Sequence, residues 1–293
     1  MKAEQQFLCD LAEKISMPDI YLKIRILLNK PHAKIDDYVD LLQSDSMLAI
    51  RIMRIANSEF FGFKRKADDL YEAISLIGVI QLHDLLLSSL CMRTFSNIPE
   101  SILDVKDFWQ HAVKCGIASR TIAKLCRLPA GNRFFTIGLL LEIGHAAMFV
   151  KAPELALEAL LDSQQKGLPV DQMEREYFGF DYCQLGAEIM HLWHLPEVYS
   201  HLIGHHLDPE KTDPVYRNEA YIVHLAQQMF VIPNRLSHLI GHMQAHNQQF
   251  AAFPENLEEI IANEIDAHGQ EVFAILMPPN TNSKDDTMRE TQP

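Results

Sequence analysis

Apolar residues recur every three or four positions along most of the chain, which is the spacing that places them on one face of an α-helix. In the segment SMLAIRIMRIAN, for example, Leu48, Ile52 and Ile55 fall on one face. The alternation of apolar and polar residues around hairpin turns that would indicate β-strands is absent from the sequence. Short breaks such as MPD, NKPH and SDS separate the helical segments. The pattern predicts an all-α protein with many helices of roughly 8–20 residues.

Longer breaks in the helical pattern divide the chain into parts. The clearest one is SNIPES at 96–101, and two long helical runs follow it, near 102–127 and 133–149. The last segment is polar, contains three Pro and has no apolar period, so we expect it to be disordered. We therefore predict an N-terminal helical half (1–97), a second helical half (98–232), a C-terminal helical extension (233–277) and a disordered tail (278–293).

The predicted C-terminal extension contains an amphipathic segment, PENLEEIIANEIDAHGQEVFAIL. Its apolar stripe consists of Leu257, Ile260, Ile261 and Ile265. An amphipathic helix must cover its apolar stripe, and this one packs either on the body of the same chain or on a second copy. A homo-oligomer therefore remains open at this point.

The charge of the chain argues against nucleic acid as a partner. Its 293 residues carry a formal net charge of −13, and such a surface repels phosphate backbones. The one basic cluster, Lys64-Arg65-Lys66, is followed at once by Asp68 and Asp69, so we interpret it as a solvated loop.

Cysteine usage and hydropathy indicate a cytoplasmic protein. The five cysteines lack the spacing of a zinc knuckle or a CxxC pair, which fits reduced thiols. The N-terminal stretch MKAEQQFLCDLAEKI has polar residues where a signal peptide needs an apolar core. Polar residues also interrupt every apolar stretch before it reaches about 18 residues, so we expect no membrane partner.

The hexapeptide SHLIGH occurs twice, at 200–205 and 237–242, and each copy places two histidines one helical turn apart. That spacing can hold a metal ion. On a helical projection the second copy directs a stripe of His238, His242 and His246 towards solvent, whereas in the first copy the adjacent His206 falls near the centre of the apolar face. A hydrogen-bonded core histidine is the main interpretation of His206, and a metal ligand is the alternative.

Several blocks, in order from about Ile15 to Met229, resemble the HDOD family, a divergent branch of the HD metal-dependent phosphohydrolases. The block DLLQSDSMLAIRIMRIANSEFFGF keeps the family's Asp45, Leu48, Arg54, Ala56, Asn57, Ser58 and Gly62. The other matching strings are MPDI, DDLYEAISLIGVIQLHDLLLSSL, FWQHAV, GLLLEIGH, GFDYCQLGAEIMHLWHLPEV and HHLDP. The resemblance implies a multi-helix bundle of two packed helical layers, similar to an HD domain.

We interpret the motif residues Asp45, Arg54, Asn57, Ser58 and Gly62 as structural. Asn57 tolerates the left-handed conformation of a helix C-cap, and Gly62 permits a tight turn. In GFDYCQLGAEIM, Asp181 is placed to cap the next helix, and Gly186 allows close helix packing.

The same resemblance points to a lost metal site. Active HD enzymes hold metal with an upstream His, an adjacent His-Asp pair and a later Asp. The matching positions here are His111, Leu141, Glu142 and Gln227. Leucine cannot bind a metal and glutamine is a weak ligand, while catalytic zinc normally has three protein ligands. We therefore expect no metal and no other cofactor.

We predict a remnant HD pocket formed by His111, Leu141, Glu142, His145, His205, His206 and Gln227. An unpaired buried carboxylate is costly, so Glu142 should be paired with a histidine or hydrogen-bonded. The alternative is an altered site for Mn, Mg, Fe or Zn, with ligands from His111, Glu142, His145, His205 and His206.

Three functions follow from these alternatives. The resemblance favours a non-catalytic bacterial signal-transduction module that acts through protein partners. The second hypothesis is a metal-dependent phosphohydrolase that acts on a nucleotide or cyclic dinucleotide through an altered metal site. The third is a sensor whose pocket binds a small molecule without hydrolysing it and thereby shifts the packing of the two helical layers.

Overall fold

The computed structural model describes residues 3–128, 131–231, 239–241, 243–244, 250 and 253–277. All regular structure in these residues is helical, which confirms the predicted all-α class. The predicted histidine stripe (His238, His242 and His246) and the predicted tail (278–293) lie outside the described residues. The helices are α1 (Ala3–Glu13), α2 (Asp19–Leu28), α3 (Ile35–Gln43), α4 (Ser46–Asn57), α5 (Leu70–Ile77), α6 (Val79–Thr94), α7 (Val105–Leu125), α8 (Gly131–Leu140), α9 (Ile143–Lys151), α10 (Pro153–Lys166), α11 (Val170–Phe178), α12 (Tyr182–Leu192), α13 (Glu197–His205), α14 (Arg217–Val231) and α15 (Leu257–Leu276).

Helices α2 to α6 form the first group. Helix α3 contacts α2, α4 and α5, and α2 also packs on α6. The core face of α4 follows the predicted periodicity, since Leu48, Ile52 and Ile55 are all fully buried. Amphipathic helices of this kind are held by tertiary packing of the apolar face rather than by helix propensity.

The second group is organised around α7, the longest helix in the described part of the chain. It packs on α8, α14 and α15, and α8 in turn contacts α6 of the first group. Helix α12 lies between α9 and α13, and α1 crosses from the chain start to pack on α9 and α12. One continuous hydrophobic core therefore includes residues of both groups.

The prediction of a single helix over 133–149 is wrong. This segment forms two helices, α8 and α9, separated by a break at Leu141-Glu142. Glu142 leaves the helical conformation, with φ −101° and ψ 21°. The break lets α9 approach α12 very closely at Gly144, where a Cβ atom would lie only 1.9 Å from the backbone oxygen of Tyr182. The turn thus directs the side chain of Glu142 away from the axis of α8 and towards α7.

The stretch Gly131–Lys151 is apolar and long enough to cross a membrane by composition, but 83% of its most apolar part is buried in the protein. Among the described residues, α5 and α6 pass the same test only when they are counted as one span bent by 103°. The apolar residues of these helices are used in the core.

Helix α15 docks on the body of the same chain, which is one of the two arrangements left open above. It contacts α7, α4 and α6, and its residues Leu257 and Ile261 are buried. At its C-terminal end Arg51 Nε donates a hydrogen bond to the Ile275 oxygen (2.9 Å), and Arg54 Nη1 donates one to the Ala274 oxygen (3.1 Å). Cations at this end satisfy the last carbonyl groups and offset the helix dipole.

Candidate functional site

Leu141 and Glu142, two of the predicted pocket residues, lie at the break between α8 and α9, whereas His111 is on α7. Leu141 is 1% exposed and belongs to the hydrophobic core. Gln227, on α14, is also buried. Two of the positions that hold metal in HD enzymes, by the resemblance, are therefore filled here by a core leucine and a neutral amide.

His111 and Glu142 face each other across this break. The Nε2 atom of His111 lies 3.8 Å from Glu142 Oε1 and 3.6 Å from the Sγ atom of Cys115. The two side chains of the first pair are 33% and 22% exposed, so solvent weakens their attraction. Burial, and then the charge of Glu142, raises the pKa of the Cys115 thiol well above its ordinary value. The thiol is therefore protonated and is not an activated nucleophile.

The predicted pairing of Glu142 with a histidine is present in its contact with His111, and a second, more deeply buried carboxylate that pairs with a histidine is Glu174, on α11. Its Oε1 atom lies 2.8 Å from Nε2 of His145, although the ring N–H is not aligned for a linear hydrogen bond. Its Oε2 atom accepts a hydrogen bond from the backbone N–H of Tyr182 (2.9 Å). Burial lowers the pKa of His145, but the charge of Glu174 opposes this and the pKa is raised overall. The charge of Glu174 thus favours the protonated form of His145.

Sequence reasoning missed Glu174. The sequence gives only a weak indication that Glu174 is buried. Glu174 precedes the core residue Phe178 by four positions, so the two residues share the buried side of α11. A carboxylate on a buried helix face requires a partner. The sequence does not show that the partner comes from α9, about 30 residues earlier in the chain.

Tyr182 connects His145 to His206. The rings of His145 and Tyr182 stack with their centroids 3.8 Å apart, and the Tyr182 hydroxyl lies 3.0 Å from Nε2 of His206. The side-chain amide of Gln227 donates to the same hydroxyl (3.3 Å). His206 Nδ1 is 2.7 Å from the Ile203 oxygen, so it carries the proton and Nε2 accepts from Tyr182.

His206 is therefore a satisfied core histidine in its neutral form. It is fully buried, and burial lowers its pKa to about 4. Both ring nitrogens already have hydrogen-bond partners, so neither is available to a metal without breaking a buried bond. His205 lines a different place, a surface groove of about 340 Å³ between α12 and α13, where its Nδ1 donates to the His201 oxygen (3.0 Å).

The residues present do not fit the metal centre that the HD fold implies. Among the described residues, no group of three or more His, Cys, Asp and Glu side chains is arranged to hold a metal ion. Leu141 supplies no ligand, His145 is paired with Glu174, and both ring nitrogens of His206 have hydrogen-bond partners. A metal ion that bound His145 would have to break this buried pair, which costs free energy.

A second buried polar network, which sequence reasoning also missed, lies where α2, α6, α8 and α13 meet. Asp84, on α6, accepts a hydrogen bond from the Tyr199 hydroxyl (2.8 Å), and its Oδ1 atom is 3.5 Å from Nδ1 of His83. The other ring nitrogen of His83 contacts the Tyr21 hydroxyl. Thr136 on α8 donates to the Asp84 backbone oxygen (3.1 Å).

The His83-Asp84 pair is shielded from solvent, which argues against a catalytic role. Tyr21 and Tyr199 are fully buried, and His83 and Asp84 are each only 7% exposed. A substrate has no access to the chain of hydroxyl, imidazole and carboxylate. The network instead joins helices of the first and second groups. Its sequence signal was an adjacent His and Asp inside the apolar string LHDLLL.

Comparison with known proteins decides the family. The family model described as HDOD domain matches residues 15–209, well over half of the chain. The chain belongs to the HDOD family. The match includes α2 to α13 and thus both groups of helices, and it bears out the resemblance read from the sequence blocks.

Solved structures support the same fold. An HDOD domain protein of unknown function from Geobacter sulfurreducens has a TM-score of 0.68 and 21% identity, and the match covers 93% of this chain and 98% of that one. A candidate phosphohydrolase from Shewanella amazonensis has a TM-score of 0.72 and 20% identity, with 92% and 98% covered. A candidate signal transduction protein from Marinobacter aquaeolei has a TM-score of 0.67 and 17% identity, with 94% and 65% covered.

A curated relative, an uncharacterized protein from Treponema pallidum, is 23% identical over 212 residues. The match covers 70% of this chain but only 40% of that relative's length. At these identities the solved structures establish the fold, and a similar fold supports many different functions.

The HDOD motif residues hold the first group of helices together. Asp45 caps α4 by accepting from the Leu48 N–H (3.1 Å), and it also pairs with Arg93 on α6 (3.0 Å). Arg54 binds the end of α15, as described above. Ser58 is buried, and Gly62 has φ +68°, a conformation that glycine adopts at no steric cost.

The left-handed C-cap expected at Asn57 is wrong. Asn57 forms the last residue of α4, and the capping residue Ser58 is extended, with φ −77° and ψ 137°. The Asn57 side chain instead forms two hydrogen bonds with the backbone of Ala67, donating to its oxygen (3.0 Å) and accepting from its N–H (2.8 Å). The residue fixes the 58–66 loop, which the sequence pattern alone does not reveal.

Proposed function

We propose that this chain is a non-catalytic HDOD module of bacterial signal transduction that acts through protein partners. The observation that carries the proposal is the closed set of contacts at the HD pocket: the His145–Glu174 ion pair, and the hydrogen bonds of Tyr182 to His206 and Gln227. Tyr182, His206 and Gln227 are hydrogen-bonded to one another, His145 is paired with Glu174, and in the described part of the chain no three His, Cys, Asp or Glu side chains are arranged to hold a metal ion. Without a hydrolytic centre, the module transmits a signal by binding.

Two changes at the ligand positions argue in the same direction. Leu141 contributes apolar packing in place of a ligating imidazole, and Gln227 contributes a neutral amide in place of a carboxylate. The name of the Marinobacter aquaeolei relative, a candidate signal transduction protein, fits this role.

A phosphoester panel tests the absence of catalysis. The wild-type chain and the variants His111→Ala and Glu142→Ala would be assayed on nucleotides and cyclic dinucleotides with Mn, Mg, Fe or Zn. We expect no turnover that differs between wild type and variants. Turnover that both substitutions abolish would contradict the proposal.

A cellular experiment tests the proposal that the chain acts in signalling without catalysis. Deletion of the gene in the source cell should alter a signalling output, and the His111→Ala/Glu142→Ala chain should restore that output as well as wild type does. A deletion without any signalling effect would count against the proposal, as would restoration only by a chain with both residues intact.

The second candidate is a metal-dependent phosphohydrolase. The observation in its favour is that His111 and Glu142 both remain and are partly open to solvent, at 33% and 22% exposure. The Shewanella amazonensis relative is named as a candidate phosphohydrolase. This function predicts divalent metal bound by His111 and Glu142, and phosphate release that depends on both residues.

A further inference from the structure

The outer side of α4 carries an apolar groove beside the end of α15. Met47 and Ile50 are 45% and 54% exposed, although both are large apolar residues. With Arg54, Ala274 and Met277 they line a groove of about 160 Å³. A cavity of ~150 Å³ accommodates a benzene molecule, so the groove has room for one large apolar side chain.

The groove lies beside Arg51 and Arg54, and neither has a salt bridge to a carboxylate in the described part of the chain. Arg93 is also near, but its charge is paired with Asp45 (3.0 Å). Arg51 is buried and bound to Ile275 and Ser89, so it is committed to the fold. Arg54 is exposed and gives one N–H to Ala274, and the described residues supply no acceptor for its other donors.

The arginines beside the groove favour a partner segment that carries negative charge. At physiological salt the Debye length is about 8 Å, so groups at the groove feel the local arginines more than the net charge of −13 over the whole chain. An aliphatic or aromatic side chain fits the space between Met47, Ile50 and Met277. A neighbouring carboxylate can bind the N–H donors of Arg54 for which the described residues supply no acceptor.

We propose that the groove between α4 and the end of α15 is a docking site for an acidic partner segment that inserts a large apolar side chain. The proposal rests on the proposed function, since it names the surface and the kind of partner through which a non-catalytic module acts. Two arginines of this surface also fasten α15 to α4, so the site exists only while α15 is docked.

Site-specific photo-crosslinking tests the groove. A benzoylphenylalanine would replace Ile50 in the full chain in its source cell, and a matched control chain would carry it at Ile80, which is 73% exposed on α6. We expect the Ile50 chain alone to capture a distinct protein, through a segment rich in Asp and Glu with a large apolar residue. Mass spectrometry would identify that segment.

A synthetic peptide of the captured segment then serves as the probe. Ile50→Glu should weaken its binding at least tenfold, and Ile50→Lys should weaken it less, because only the glutamate repels an acidic peptide. Ile80→Glu should leave binding unchanged, and equal melting temperatures would show that the variants are folded.

The proposed docking site would be contradicted if the crosslinker at position 50 captured no protein, or if the crosslinker at position 80 captured the same protein. It would also be contradicted if the captured segment were basic, belonged to a second copy of this chain, or were residues 278–293 of the same chain. If only the crosslinker at position 80 captured a partner, the proposed function would stand, but this groove would not be the docking site. Metal-dependent turnover would remove the proposed function whatever the crosslinks show.

Discussion

The carboxylate of Glu174 lies 2.8 Å from the imidazole of His145, and both side chains are almost completely buried. Burial lowers the pKa of His145, but Glu174, with smaller contributions from Glu142 and Asp181, raises it overall. The stabilisation from this pair is fully present below the unfolded histidine pKa of about 6.5 and is lost as the pH rises through the higher folded value. The pair thus joins α9 to α11 through a buried salt bridge.

Glu174→Gln tests the energetic weight of this pair. The substitution removes the carboxylate charge that raises the pKa of His145, and we expect it to lower the free energy of unfolding by about 2 kcal/mol. Urea denaturation at pH 6 measures the loss. The control Glu176→Gln, an exposed position on the same helix, should have almost no effect. Equal stability of the two variants would contradict the structural role of the pair.

His206 predicts a pH dependence of opposite sign. Burial lowers its pKa to about 4, so its contribution to stability is present above the unfolded value and is lost as the pH falls from about 6.5 towards 4. The wild-type chain should lose up to about 3 kcal/mol through this group across that window. His206→Gln, which does not titrate, should show a correspondingly flatter stability profile. Parallel profiles for wild type and variant would contradict the neutral, buried assignment.

Gly144 tests the close approach of α9 to α12. A Cβ atom there would lie 1.9 Å from the Tyr182 oxygen, so Gly144→Ala should destabilise the fold by more than about 3 kcal/mol. Gly269→Ala is the matched control, since its Cβ would meet neighbours only at 3.6 Å and beyond. Thermal melting compares the two. A tolerated Gly144→Ala would mean that the two helices are farther apart.

Tyr199→Phe tests the network around Asp84. The substitution removes one hydrogen bond to a buried carboxylate, and we expect a loss of about 2 kcal/mol in the free energy of unfolding. Tyr71→Phe, at an exposed position on α5, should be neutral. A neutral Tyr199→Phe would show that Asp84 finds another donor and that the network does not join the helix groups.

Features set by neighbouring residues were predictable from the sequence. The core face of α4 follows from helical periodicity, and the capping role of Asp181 follows from its place before an apolar segment. The structure has both, with the Gln184 N–H donating to Asp181 Oδ1 at 2.9 Å. The close packing of α12 at Gly186 was also predictable, because a glycine inside a helix has no side chain to keep the neighbouring helices apart.

Features set by distant partners were not predictable. The partner of His145 is 29 residues away on another helix, and the partner of Asp84 is Tyr199, which is 115 residues away. The break at Leu141-Glu142 occurs inside an apolar run whose helical period continues on both sides. A single sequence contains the residue types of such contacts but not the tertiary packing that brings them together.

The metal content of the purified chain shows whether a catalytic metal site is present. The untagged chain would be purified without nickel resin and analysed for Mn, Fe, Zn and Mg, beside Glu142→Ala and the triple variant His238→Ala/His242→Ala/His246→Ala. We expect metal far below one equivalent, with no change in Glu142→Ala and any residual metal removed by the triple variant. One equivalent of metal per chain that disappears with Glu142→Ala would show a working metal site and support the phosphohydrolase.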